Sequence, residues 1–228
     1  MIVLAIDTAL DACSAAVLDT ETPALLASES LPMQRGHAEA LMPLIDRVMS
    51  ATGLAYTALD RVAVTVGPGS FTGLRVGLSA ARGIALAADR PVVGLTTLSA
   101  FAAPLVSPDA TGPIISAIDA RHDHLYFQVV RGDGEMLIAP RVAPIDDATE
   151  ALRFGAPRIV GNAAQSLAAR WPKNAPRPLD VDQQAAPDIG WVAWLGAAAN
   201  PDKARATPFY LRPPDARPQT AALPTAPA

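Results

Sequence analysis

The stretch Gly67–Arg75, with the sequence Gly-Pro-Gly-Ser-Phe-Thr-Gly-Leu-Arg, constrains the fold more than any other part of the chain. It lies between an apolar, strand-like run, Arg61–Val66, and a helical pattern rich in small residues, Leu74–Ala88. Glycine permits tight turns and close backbone approach, and Ser70 can accept a hydrogen bond from the first turn of the helix. We therefore expect a strand, a rigid turn and a capped helix in succession.

A helix N-terminus after a glycine-rich turn can bind phosphate, but this stretch matches neither common phosphate-binding loop. A Walker loop needs Gly-Lys, and the first lysine of the chain is Lys173. The dinucleotide fingerprint needs G-x-G-x-x-G, whereas the glycines here are spaced G-x-G-x-x-x-G. The spacing favours a structural cap and an interface over an anion site.

The helix carries a stripe of very small residues at every fourth position, formed by Gly73, Gly77, Ala81 and Ala85. Residues four apart lie on one helix face, and a face without side chains allows another element to approach closely. Only Arg75, Ser79 and Arg82 form a polar edge. One side of the helix can pack on its own sheet and the other on a second chain; complete burial within one domain is the alternative.

The composition is that of a globular protein, because half of the 228 residues are apolar. The net charge is −4, and Lys173 and Lys203 are the only lysines, so strong autonomous binding of nucleic acid is not expected. Cys13 has no second cysteine to pair with, which fits a reducing cytoplasm and a small buried residue. The apolar start resembles a core strand, and prolines interrupt Pro91–Pro108, so neither a signal peptide nor a membrane span is expected.

The chain shows an internal duplication. Three short apolar runs predict a meander of strands over Ile2–Ile6, Cys13–Leu18 and Ala24–Ser30, followed by a helix over His37–Met49. A shift of 112 residues aligns residues 2–27 with the chain after the Pro104–Pro113 linker, with eight identities in twenty-six positions. We therefore predict an N-terminal domain over residues 1–106, a reduced C-terminal domain over 111–212, and a disordered, Pro/Ala-rich tail over 213–228.

Two units that each open with an Ile-Asp strand and a hairpin suggest an α/β fold of two duplicated RNase H-like domains, as in the actin, Hsp70 and sugar-kinase group. In that group the hairpins hold ATP phosphates and an aspartate holds magnesium. Here neither hairpin turn contains glycine, and Asp11 and Asp123 would place carboxylates near the phosphates. Asp7 is therefore only a weak candidate for cofactor binding, with a turn-stabilising role as the alternative.

The remaining reactive residues give little support for catalysis. His37 has Leu41 where a metal-binding helix would place a second histidine. His122 and His124 could hold a metal in the second hairpin, but a solvated turn is the favoured interpretation. Ser70 lacks the Gly-x-Ser-x-Gly frame of a serine hydrolase. We expect no catalytic residue, no metal site and no cofactor.

Several motifs together resemble the TsaB (YeaZ) family. They are Ile6-Asp7-Thr8 with Cys13-Ser14, Gly36-His37-Ala38-Glu39, the Gly67–Arg75 stretch, Asp119-Ala120-Arg121 with Tyr126, and Pro208-Phe209-Tyr210-Leu211-Arg212. The resemblance covers nearly the whole chain except the tail, and Gly67–Arg75 is its most specific part.

The resemblance implies a cytoplasmic, non-catalytic subunit for threonylcarbamoyladenosine (t6A) modification next to the tRNA anticodon. Its partners would be a catalytic TsaD-like paralogue and a TsaE-like ATPase, with a homodimer when alone and tRNA contact only through the complex. An ATP-dependent enzyme with an actin-like fold and a metallopeptidase of the wider glycoprotease family are the alternatives.

By the same resemblance the partner interface lies on the two N-terminal helices. The expected interface residues are His37, Leu41, Ile45, Gly73, Arg75, Gly77, Ala81 and Arg82. We expect the substitution Gly77→Leu to block the partner sterically while the monomer still folds.

Overall fold

The structure, a computed structural model, describes residues 1–212. The strands are β1 (Ile2–Asp7), β2 (Ala12–Asp19), β3 (Ala24–Pro32), β4 (Arg61–Gly67), β5 (Val92–Thr96), β6 (Pro113–Asp119), β7 (His124–Arg131), β8 (Met136–Pro144), β9 (Arg158–Gly161) and β10 (Asp180–Gln183). The α-helices are α1 (His37–Thr52), α2 (Phe71–Ala88), α3 (Thr97–Ala102), α4 (Ala164–Ala169) and α5 (Ile189–Ala198), and a 3-10 segment spans Ile145–Phe154.

The ten strands form two five-stranded sheets with the same topology. The first has the order β3-β2-β1-β4-β5, and the second has the equivalent order β8-β7-β6-β9-β10. In each sheet the first three strands are an antiparallel meander, and the last two pair parallel. The predicted duplicated, actin-like α/β fold is therefore confirmed.

The residue-by-residue alignment of the two halves is wrong by one position in the first strand. Leu4 and Ile6 of β1 pack on the layer of α1 and α2. In β6 the side chains on the equivalent layer, formed by the 3-10 segment and α4, are Ile115 and Ala117. Ile118, which the shift of 112 pairs with Ile6, faces the opposite layer. Since a shift by one residue reverses the face of every side chain, Leu4 corresponds to Ile115, a shift of 111.

Each half contributes its last helix to the other sheet. Leu98 and Phe101 of α3 join a core with Ile114 of β6. In return, Val192 of α5 packs with Val3 of β1 in a core on the back of the first sheet. The last described segment thus returns to the N-terminal half, while the domain boundary near residues 106–111 stays a prediction.

Arg61 binds the C-terminal end of the returning helix α5. The Arg61 guanidinium donates from Nη1 to the carbonyl oxygens of Gly196, Ala197 and Ala199 at 2.8, 3.1 and 2.6 Å. These carbonyls lie at the C-terminus of α5, where helical hydrogen bonds run out and a positive charge is favourable.

The predicted element boundaries hold with small differences. Helix α2 begins at Phe71 rather than Leu74, because Ser70 is its N-cap. Helix α1 continues through Pro43 to Thr52.

Cys13 is fully buried, as expected, and burial raises the pKa of its thiol to about 11. Within residues 1–212 no helix is both long and apolar enough to cross a membrane. The tail prediction falls on residues 213–228, outside the described residues.

Candidate functional site

The central turn is built against the first hairpin. The Ser70 side chain accepts from the Gly73 N–H at 3.3 Å and caps α2, and the Ser70 N–H donates to the Ala9 carbonyl at 2.7 Å. A Cβ on Gly69 would overlap the Ala9 carbonyl. The close approach of the hairpin is therefore sufficient to require glycine here.

The small-residue stripe of α2 faces its own sheet. Thr8 Oγ1 donates to the Gly73 carbonyl at 2.7 Å, and a Cβ on Gly77 would overlap the Thr8 hydroxyl. Ala81 and Ala85 are buried in the core between α2 and the sheet. The stripe therefore packs within the chain, and a larger side chain at Gly77 would meet Thr8 before it met a partner. The assignment of Gly73, Gly77 and Ala81 to the partner interface stays a prediction.

Three predicted interface residues of α1 also point inward. Leu41 is 1% exposed and Ile45 is fully buried. His37 is buried too, with Nε2 lying 3.1 Å from the Leu10 carbonyl oxygen. Leu41 and Ile45 pack into the core because α1 turns its Leu41-Leu44-Ile45-Val48 side to the sheet.

The two arginines among the predicted interface residues, Arg75 and Arg82, differ in what they contact. The Arg82 guanidinium donates from Nε and Nη2 to the Ala206 carbonyl at 3.1 and 2.5 Å, which ties α2 to the C-terminal segment. Arg75 lies on the exposed side of α2. Of the eight predicted residues, Arg75 alone presents a functional group outward that has no hydrogen-bond or ion-pair partner in residues 1–212; its one close contact there is with the Phe71 ring. The interface itself stays a prediction.

An open groove between α1 and α2 exposes apolar side chains near these residues. Its volume is about 560 Å³, and its lining includes Ala38, Met42, Phe71, Arg75, Val76 and Ala80. The side chains of Met42 and Phe71 are 47% and 46% exposed. Sequence reasoning missed Met42, although a large apolar residue outside the buried stripe of α1 was a usable signal.

A stack of three side chains stands at one end of this groove. The rings of Phe71 and Tyr210 are stacked with centroids 5.6 Å apart, and Cζ of Arg75 lies 3.7 Å from the Phe71 centroid. Tyr210 is 44% exposed. The Phe209 N–H donates to the Val66 carbonyl at 2.8 Å and holds the segment beside the central turn.

Asp7 is fully buried at the end of β1. Its Oδ1 accepts from Thr65 Oγ1 at 2.5 Å and from the Ala9 N–H at 3.0 Å, while Oδ2 has no partner among residues 1–212. Burial raises the pKa of this carboxyl, and the Thr65 hydrogen bond opposes the rise. The bond from Ala9 is the turn-stabilising role named above as the alternative.

The residues around Asp7 do not fit a magnesium nucleotide. In the actin-like fold the phosphates would lie between the two hairpins. Here Ala9 and Leu10 of the first hairpin are packed into an apolar cluster with Leu74, Ile118 and Leu211. The apolar side chains of this cluster offer phosphate oxygens no hydrogen-bond donors.

The second hairpin forms an exposed turn. Arg121, His122 and Asp123 have φ angles of 61°, 52° and 58°, and Asp123 accepts from Arg170 Nη2 at 2.6 Å. His124 Nδ1 lies 2.7 Å from the His122 carbonyl oxygen. Within residues 1–212 no group of three or more His, Cys, Asp or Glu side chains could hold a metal ion.

Comparison with known proteins identifies the family. The family model described as TsaD, tRNA N6-adenosine threonylcarbamoyltransferase, matches residues 30–185, more than half of the chain. The Escherichia coli tRNA threonylcarbamoyladenosine biosynthesis protein TsaB is 32% identical over 190 residues, which are 83% of this chain and 75% of that protein. The chain belongs to the TsaB (YeaZ) family.

Other TsaB-family members agree with this assignment. The Haemophilus influenzae TsaB protein is 39% identical over 129 residues, 56% of this chain and about half (53%) of that protein's length. The structure of YeaZ from Pseudomonas aeruginosa superposes with a TM-score of 0.73 at 26% identity, covering 92% of this chain and 99% of that one. The match to the TsaD model fits a shared fold between the TsaB family and its paralogues.

Proposed function

We propose that this chain is the non-catalytic, activating subunit of the cytoplasmic machinery that makes t6A in tRNA. A TsaD-like paralogue carries out the transfer of the threonylcarbamoyl group, and a TsaE-like ATPase joins the pair. Membership of the TsaB family, whose relatives bear the name of t6A biosynthesis, supports the role in this modification.

The observation that carries the partner-subunit role is the contrast between the two candidate sites. The cleft where an actin-like enzyme would hold nucleotide is filled by Leu10, Leu74, Ile118 and other apolar side chains of the same chain. The groove between α1 and α2, by contrast, leaves Met42 and Phe71 about half exposed. Exposed apolar grooves between two helices accept helices of other proteins.

The same groove serves self-association when the partner is absent. A homodimer formed through it is isologous, and the TsaD-like paralogue competes with the second copy for the same residues. The chain carries a net charge of −4, so tRNA is contacted only within the complex.

Partner binding through the groove is tested with Met42→Asp. Met136 on β8 is a matched control, because its side chain is 46% exposed and Met42 is 47% exposed. We expect Met42→Asp to weaken binding of the purified cognate TsaD-like protein at least tenfold in a calorimetric titration, since burying a carboxylate in an apolar groove is unfavourable. Met136→Asp should bind like the wild type.

Two results would count against the proposal. Equal binding by both variants would remove the groove from the interface. Failure of the wild-type chain to bind the TsaD-like protein, alone or with the TsaE-like ATPase present, would contradict the subunit role itself.

A further inference from the structure

Within the part of the chain that the structure describes, the Arg75 guanidinium contacts an aromatic ring but has no charged or hydrogen-bonding partner. Its Cζ lies over the Phe71 ring at 3.7 Å from the centroid, within the range of a cation–π contact. Within residues 1–212 it makes no hydrogen bond and no ion pair, whereas the nearby Arg82 binds the Ala206 carbonyl. A planar guanidinium that is oriented by stacking but unpaired is preorganised for a two-pronged contact with an anionic group.

The C-terminal segment adds a third side chain to this arrangement. Tyr210 stacks on the Phe71 ring, so Phe71 touches both the arginine and the tyrosine. The segment is fixed before and after Tyr210 by the bonds of Phe209 to Val66 and of Arg212 Nη1 to the Ala120 carbonyl at 3.0 Å. Tyr210 therefore lies on a segment that is hydrogen-bonded to the rest of the chain both before and after it.

The stack continues the groove directly. Phe71 and Arg75 belong to both, and the stack adds a charged end to a groove whose other lining residues are mostly apolar, with the hydroxyls of Thr72 and Ser79 among them. Arginine and aromatic side chains are the residue types most enriched at the energetic centres of protein interfaces.

We propose that Arg75, Phe71 and Tyr210 form the polar end of the docking surface, where Arg75 binds a carboxylate on a helix of the partner protein. This inference rests on the proposed function and adds the C-terminal segment to the surface. The partner chemistry is an apolar helix face that fills the groove and carries an Asp or Glu at the end next to Arg75.

A protein carboxylate fits this site better than an RNA phosphate. The anion site is one arginine at the end of an apolar groove, and RNA backbones are bound by several cations together. The nearest other arginine of α2, Arg82, is already bonded within the chain.

The test compares Arg75→Glu with Arg177→Glu, which makes the same charge change at another exposed arginine. Binding to the purified TsaD-like protein is measured by calorimetry, and folding by circular dichroism. We expect Arg75→Glu to weaken binding at least tenfold, Tyr210→Ala three- to tenfold, and Arg177→Glu less than twofold, all with wild-type melting curves. Arg75→Lys should restore only part of the affinity, because an ammonium group cannot make the planar two-pronged contact.

The outcomes separate this inference from the proposed function. If the wild type binds and Arg75→Glu and Tyr210→Ala bind equally well, the polar end is refuted while the subunit role stands. If Arg75→Glu binds the protein normally but the assembled complex loses affinity for tRNA, the ligand of Arg75 is RNA and the protein carboxylate is refuted. If the wild type does not bind, the proposed function has failed.

Discussion

Replacing Arg61 by methionine should loosen the helix that returns to the first sheet. Methionine keeps much of the apolar stem but removes the Nη1 donor that binds three carbonyl oxygens at the end of α5. Hydrogen bonds from a charged donor contribute about 1.5–3 kcal/mol. The loss is reduced because Arg61 Nε is buried and has no hydrogen-bond partner among the described residues 1–212, which costs the wild type about 1 kcal/mol or more.

We therefore expect Arg61→Met to lower the free energy of unfolding by about 2 kcal/mol, or about 4–8 °C in Tm for a chain of this size. Two of the three tryptophans, Trp191 and Trp194, lie on α5, so urea unfolding followed by tryptophan fluorescence reports on the affected helix. In the variant, the backbone amides of Ile189–Ala198 should be the first to exchange hydrogen faster than in the wild type. Arg177→Met is the control for the loss of an exposed arginine. A change below about 0.5 kcal/mol, or protection of α5 equal to the wild type, would refute the role given to Arg61.

Two further predictions concern the buried side of the site. Gly77→Ala should lower the free energy of unfolding of the monomer by about 1–3 kcal/mol, because the added methyl group would overlap Thr8. Gly83→Ala, on the open side of α2, should raise it by about 0.5–1 kcal/mol. Urea unfolding measures both, and equal effects would refute the inward orientation of the stripe. The pKa of Asp7 is raised above its ordinary 3.8, so the folded state retains a proton that the unfolded state loses, and the stability of the wild type relative to Asp7→Asn should fall as the pH rises above 3.8. Unfolding at several values between pH 4 and 7 measures this difference, and a constant or rising difference would contradict it.

The periodic parts of the sequence predicted the fold well. Alternation and apolar runs located the meander and the central strand, and Ser70 with the glycines around it located the start of α2 within three residues. The repeat was recognisable from identities alone, but identities cannot distinguish a shift of 112 from 111. The one-residue difference became visible only from which layer Leu4 and Ile115 face.

The candidate site was harder to predict, for two physical reasons. A stripe of small residues such as Gly73 and Gly77 shows that something packs closely there, but a strand of the same chain and a helix of another chain require the same pattern. The stack depends on Tyr210, which is separated from Phe71 by most of the chain. No local pattern indicates that the last described segment returns beside α2.

The most direct measurement of the central claim is the transfer of threonylcarbamoyl from its adenylate to tRNA by the cognate TsaD-like and TsaE-like proteins, with and without this chain. We predict transfer only when this chain is present, and none when it is incubated alone with the same substrates. Full transfer without it, or ATP turnover by this chain alone, would contradict the assignment as a non-catalytic activating subunit.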